Sequence, residues 1–302
     1  MPEAIHPGVA PETGREYLLY RPSAYRREQS WPLIVVCHPS SPNRTIRQWT
    51  GLAETHGFLV AAPELRRADK PLRGDDIEPG GSRLEETQVL SVVEHIRAGH
   101  NISEDRIFIH GAEGGSLAAL RAGVKYSDVF RALSVVEPSF ERAAMSDLGN
   151  FIDPHQPVYL SYRTNNLLTG KKGRECADWL RAYGADLRLD HFSMGNDPQR
   201  ITSFFQNVLR TTEWIQVRAA PSNGANPLEV RFSLRINAAP AQYRWQFGDG
   251  EESPVAEPVH AYAKPGKYRV IVTVSGPKLG QHTRHVDVSV PTATVQQARN
   301  RF

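Results

Sequence analysis

The segment Arg106–Leu120, RIFIHGAEGGSLAAL, constrains the fold more than any other stretch of the chain. Ile107, Phe108 and Ile109 form an apolar run that ends at Gly111. Small residues follow, and the apolar spacing then becomes that of a helix. A strand, a sharp elbow and a helix in this order are a building unit of α/β folds. Gly111 and Gly115 flank the elbow, and Glu113 stands between them.

The surrounding sequence repeats the pattern. Tyr17–Tyr20, WPLIVVCHP and FLVAAPE read as strands, and the continuous apolar run in the second suits a strand buried on both faces of a parallel sheet. TIRQWTGLAETHG reads as one helix stopped by Gly57, and SRLEETQVLSVVEHIRAGH as a longer one. RALSVVEP, PVYLSYR and DLRLDHF read as further strands, with helices in GKKGRECADWLRAYG and PQRITSFFQNVLRT. After Trp214 helical periodicity stops. WIQVRA, LEVRFSLRI, YRWQFGD, YRVIVTVSG and TRHVDVSV alternate apolar and polar residues between turn residues, as strands of a β-sandwich do. The expected division is an α/β domain over 1–213, a sandwich over 214–291 and a loose tail over 292–302.

Composition excludes some functions. The 36 basic and 33 acidic residues leave a formal charge of +3, with no basic stripe, so a nucleic-acid partner is not expected. No apolar run is long enough to span a bilayer. The start, MPEAIHPGVAPETGRE, lacks the charged and apolar regions of a secretion signal. Cys37 and Cys176 fall in a predicted strand and a predicted helix and are expected as buried free thiols.

YRWQFGDGEESPVAEPVHAYAKPGKYRVIVTV closely resembles the PKD (polycystic kidney disease) domain, an immunoglobulin-like sandwich. The likeness rests on Trp245, Phe247, Gly248, Asp249 and Gly250, then His260, Tyr262, Pro265, Gly266, Tyr268 and Val270. These are residue types a sandwich core and its turns require. The resemblance implies an accessory module and favours an extracellular or periplasmic location.

The first 212 residues resemble α/β-hydrolases of the esterase branch that contains polyhydroxyalkanoate depolymerases and feruloyl esterases. GREYLLYRPSAY…WPLIVVCHP, GLAETHGFLVAAPE, HNISEDRIFIHGAEGGSLAAL, PVYLSYRTNN and MGNDPQRITSFF carry the likeness in order. The family implies a serine at the elbow, a histidine that deprotonates it, an acid that orients the histidine, and backbone donors for the oxyanion. Carried over position by position, the nucleophile is Glu113, the acid is Asn166 and the histidine is Asn196. The oxyanion loop reads His38-Pro39-Ser40-Ser41, and proline has no N–H to give.

An asparagine cannot act as a general base. The resemblance therefore implies an esterase scaffold whose triad is degenerate. Glu113 fits a capped site, its carboxylate held at a helix N-terminus in the former substrate space. His38, Ser40, Ser41, His110 and Glu113 are the candidate ligand-binding residues. A zinc site built from His38, His110 and Glu113 lacks ligand spacing, so neither metal nor cofactor is expected. Ser116 is expected to bond to backbone, His191 to be structural and GDDIEPGGSR to be a solvated loop. Three readings stay open: binding of a polysaccharide, polyester or protein by a degenerate enzyme; an active hydrolase that uses Glu113 and a nearby histidine; and a structural or assembly role.

Overall fold

Eight strands form one sheet in the order β1-β2-β4-β3-β5-β6-β7-β8. They are β1 (Ile5–Ala10), β2 (Arg15–Tyr20), β3 (Trp31–Cys37), β4 (Leu59–Pro63), β5 (Ile102–Ala112), β6 (Ala132–Val136), β7 (Pro157–Ser161) and β8 (Asp186–Asp190). The computed structural model describes residues 5–38, 41–65, 85–191, 197–222, 226–236, 240–277 and 279–291. Strand β2 runs antiparallel to both β1 and β4, and every other pairing is parallel.

The continuous apolar strands are explained by burial on both faces. Leu33, Val35, Ile107 and Ile109 point to one side and meet α3 (Glu85–Gly99), α4 (Ser116–Lys125) and α5 (Leu167–Ala182) through Val92, Ile96, Ala119 and Trp179. Ile34, Val36 and Phe108 point to the other and meet α1 (Pro42–Arg47), α2 (Thr50–His56) and α6 (Pro198–Thr211) through Ile46, Trp49, Ala53 and Phe205. Each large apolar side chain buried in this way contributes roughly 1.5–3 kcal/mol. The arrangement is a mostly parallel sheet flanked by helices.

Two local expectations change. TIRQWTGLAETHG is two helices rather than one, broken at Gln48 and Trp49, where the buried Trp49 ring turns in against the His110 ring at 5.4 Å. Gly57 does end the second helix, with a left-handed φ of 70°. Strand β1 was not expected from the sequence, because IHPGVA carries a proline and a glycine; it is an edge strand, where both are tolerated.

The chain divides into two compact units, Met1–Thr212 and Glu213–Phe302. The second holds two antiparallel sheets, β13-β10-β9 and β12-β11-β14-β15. Their strands are β9 (Ile215–Pro221), β10 (Glu229–Ile236), β11 (Gln242–Gln246), β12 (Glu252–Ser253), β13 (Val259–Ala261), β14 (Gly266–Gly276) and β15 (Gly280–Val290). Trp245, Phe247, Phe232 and Tyr262 fill the core between them. Asp249 fastens its turn to β13 through a 2.7 Å contact with His260 Nε2, and the His260 ring stacks on Phe247 at 4.0 Å. Gly248 and Gly250 adopt φ of 85° and 101°, which side-chain-bearing residues rarely do. These signature residues therefore serve the framework. The segment 292–302 lies outside the described residues.

Candidate functional site at the carboxyl ends of the strands

In open α/β sheets ligands gather beyond the carboxyl ends of the strands. Strand β5 delivers Glu113 there on a single 3-10 turn, Glu113–Gly115, before α4 begins. Its backbone is left-handed, with φ of 50°. The two glycines are required by close approach. A Cβ on Gly115 would strike the Cys37 carbonyl and lie 2.6 Å from the His38 nitrogen. A Cβ on Gly111 would strike Ala119 and lie 2.8 Å from Ser116 Cα. The elbow thus keeps the strained geometry that offers a side chain to solvent, and the side chain offered is a carboxylate, 63% exposed.

His38 follows β3 and reaches Glu113, with Nε2 3.9 Å from Oε2. That distance is longer than a hydrogen bond. Burial pushes the His38 imidazole below its ordinary pKa, the Glu113 carboxylate pulls it back up, and Arg44 lowers it again; the net shift is downward. The shift favours the neutral imidazole, which can accept a proton at one nitrogen and donate one from the other.

The remaining candidates have other work or other places. Ser41 caps α1 by accepting from the Arg44 N–H at 3.4 Å. Asn166, in the position of the family's acid, caps α5: its Oδ1 accepts from the Leu168 and Thr169 N–H groups at 3.0 Å each. His110 is held inside the sheet rather than offered at its rim. It is fully buried, with Nδ1 3.2 Å from Ser134 Oγ. His38, His110 and Glu113 therefore do not converge, and no group of three metal-ligating side chains occurs among the described residues. Ser116 is buried; its hydroxyl donates to the Glu113 carbonyl and accepts from the Ser139 N–H at 2.7 Å. His191 is exposed at the end of β8, edge-on to Tyr162 at 5.3 Å. Ser40, Asn196 and the loop GDDIEPGGSR lie outside the described residues.

The structure adds two residues that sequence reasoning missed. Glu137 follows β6, is 4% exposed and has φ of 47°. Its Oε1 accepts from the Arg163 N–H at 3.1 Å and from Nε at 2.9 Å, while Oε2 is buried without a partner among the described residues. The signal was present in SVVEP: a charged residue ending an apolar strand, before a proline, at the same end of the sheet as the elbow.

Comparisons with known proteins bear on the fold. Residues 212–290 match the PKD domain family. Over 106 residues, 33% of the chain, the sequence is 26% identical to poly(3-hydroxyalkanoate) depolymerase C of Paucimonas lemoignei, and the match spans about a quarter (26%) of that protein. The structure resembles an S-formylglutathione hydrolase from Staphylococcus aureus, with TM-score 0.50 and 13% identity over 68% of this chain and 96% of that one. It also resembles a dipeptidyl aminopeptidase IV candidate from Bacteroides ovatus, with TM-score 0.54 and 14% identity over 67% of this chain and 35% of that one. The fold is that of the α/β-hydrolases, followed by a PKD immunoglobulin-like sandwich. The first unit is esterase-like, and its sequence relative is a polyester depolymerase by name.

Proposed function

We propose that the hydrolase-fold unit holds a ligand at its elbow without cleaving it by a serine mechanism, and that the PKD module is its accessory. The observation that carries this reading is Glu113 itself. The elbow keeps its strain and its two obligatory glycines, yet it presents an exposed carboxylate. Strained backbone persists where the surrounding structure or a function requires it. Asn166 supports the same reading, because its side-chain oxygen is committed to capping a helix. The ligand class is a polymer or a protein surface; among polymers the named relative favours a polyester over a polysaccharide.

A second reading has one observation behind it. His38, shifted toward its neutral form, stands 3.9 Å from Glu113 at the elbow, and the two side chains are the acid–base pair a rearranged hydrolase would use. Release of nitrophenol from p-nitrophenyl acetate and butyrate separates the two. The binding reading expects background rates in the native protein and in Glu113→Ala. Turnover above background that disappears in Glu113→Ala overturns it and makes Glu113 catalytic.

A further inference from the structure

Arg163 is held in an unusual way for an exposed arginine. Its backbone N–H and its Nε both donate to one oxygen of the buried Glu137. The guanidinium is thus gripped along its Nε edge, while the side chain stays 52% exposed. Neither Nη has a protein partner among the described residues. A guanidinium fixed on one edge presents the other as an oriented fork, the geometry that takes a carboxylate through two parallel hydrogen bonds.

Four and five residues further along the chain lies apolar surface. Leu167 and Leu168 are 93% and 67% exposed, more than any other large apolar residue among those described. Single exposed leucines need no explanation, but two adjacent ones at the carboxyl ends of the strands do. They open α5, whose first turn is capped by Asn166. Gly170 lets that turn lie directly on the preceding backbone: a Cβ there would be 2.9 Å from the Arg163 carbonyl and 3.0 Å from that of Thr164. Fork and leucines therefore belong to one knuckle of backbone. Exposed Arg174 on the next turn adds positive potential, while Lys171 there is paired with Glu175 at 4.0 Å.

We propose that this knuckle binds an aliphatic carboxylate, with the acid on the Arg163 fork and the alkyl chain across Leu167 and Leu168. The inference rests on the reading that this end of the sheet holds a ligand rather than hydrolysing one. Two sources share the chemistry: a free fatty acid, and the carboxyl end of an aliphatic polyester chain. A neutral ester would engage the leucines alone.

The test is calorimetric titration of the full chain at pH 7 with four probes: decanoate, methyl decanoate, the linear 3-hydroxybutyrate tetramer with a free carboxyl end, and its methyl ester. Each free acid should bind about tenfold tighter than its ester, as a charge-assisted bidentate contact predicts. Preference for the tetramer acid identifies the polyester end, and preference confined to decanoate identifies the fatty acid. Arg163→Gln should bring the acid down to the level of the ester, and L167S/L168S should weaken both. Equal binding of acid and ester, a preference that survives Arg163→Gln, or no binding by any probe overturns the proposal. The acid–ester comparison needs no substitution, so it decides the matter even if Arg163→Gln, which strands Glu137, fails to fold. Turnover of p-nitrophenyl esters in the same samples reports separately on the binding reading. Its dependence on Glu113 would sink that reading and leave the acid–ester ratio unchanged.

Discussion

Glu113 and Glu137 stand side by side at the carboxyl ends of neighbouring parallel strands, each directly after a residue of the register pair Ala112–Val136. They are the two non-glycine residues of positive φ among those described. The same backbone strain is thus placed twice, under one carboxylate that faces water and one that is buried against Arg163. The left-handed conformation costs a side-chain-bearing residue roughly 1–2 kcal/mol.

The two positions should respond oppositely to glycine. Glu113→Gly removes the strain and loses no hydrogen bond that the carboxylate makes among the described residues, so the protein should gain about 0.5–1 kcal/mol after the larger entropy of the unfolded chain is set against it. Glu113→Ala keeps its Cβ and should gain nothing. Glu137→Gly relieves the same strain but strips Arg163 of its acceptor, and should destabilise by about 2 kcal/mol. Urea unfolding of the three variants checks this. A loss of stability in Glu113→Gly would mean that the fold itself holds the Glu113 side chain.

Gly115→Ala should be among the worst single substitutions in the first unit. The added methyl meets backbone of the Cys37–His38 peptide, which is fixed in the sheet and has no flexible end to yield. Overpacking of this kind costs about 3 kcal/mol. Gly184→Ala makes the comparison: nothing lies near its Cβ, and only its positive φ is strained. The urea midpoint of Gly115→Ala should fall well below that of Gly184→Ala. Equal midpoints would refute close approach as the reason for the elbow glycine.

The central strands β3, β4, β6 and β7 were legible because each is a nearly continuous apolar run in a sheet buried on both sides, a signal that survives without knowledge of partners, whereas the edge strand β1 carries no such run. Gly111, Gly115 and Gly57 were legible for a similar reason, since backbone geometry is encoded locally. Trp49 shows the limit. Its spacing fits a helix, but burial against His110 bends the chain into two, and that contact joins residues 61 positions apart in sequence. The site divides in the same way. Glu113 could be read from the elbow, whereas Glu137 and Arg163 become neighbours only once β6 and β7 are paired. His110 was not placed by its sequence position, because a histidine near a strand end can lie buried in the sheet or stand at its rim, and a strand's two-residue period does not say which; here it is buried.

The contact between Glu113 and His38 predicts a titration. Burial holds His38 below the ordinary imidazole range and Glu113 opposes it, so Glu113→Gln should move the His38 pKa lower still. The sign for stability follows from the depressed value. The folded state prefers neutral His38, and protonation as the pH falls through the folded pKa lowers stability relative to the unfolded chain. NMR titration of the imidazole resonances in native protein and Glu113→Gln measures both values. An upward or null change in the variant would show that the 3.9 Å approach does not persist in solution.

Acid sensitivity should reside elsewhere, in the ion network that fastens α3 to α4. Arg121 donates through Nε and Nη2 to the two oxygens of the buried Glu86, at 3.0 and 2.8 Å, and also to Asp147 and the Ala144 carbonyl. Burial pushes the Glu86 carboxyl up, but the hydrogen bonds from Arg121 and the charges of Arg121 and Lys125 outweigh it and hold the pKa below its ordinary value of 4.5. Asp147 is lowered by the same contest, burial raising it and Arg121 prevailing. A depressed carboxyl pKa contributes stability that is fully present above the unfolded value and is lost as pH falls through the folded one. The urea midpoint of the first unit should therefore be level above about pH 5 and decline below about pH 4.5. Arg121→Met should flatten that decline, because Glu86 then loses its main stabilising partner and keeps Lys125 alone to oppose burial. It should also destabilise the protein at pH 7 by about 3 kcal/mol, since the buried Glu86 carboxylate is left with Lys125, 3.3 Å away, as its one remaining cationic partner among the described residues. A variant that kept the wild-type acid limb would place the responsible carboxylates outside this network.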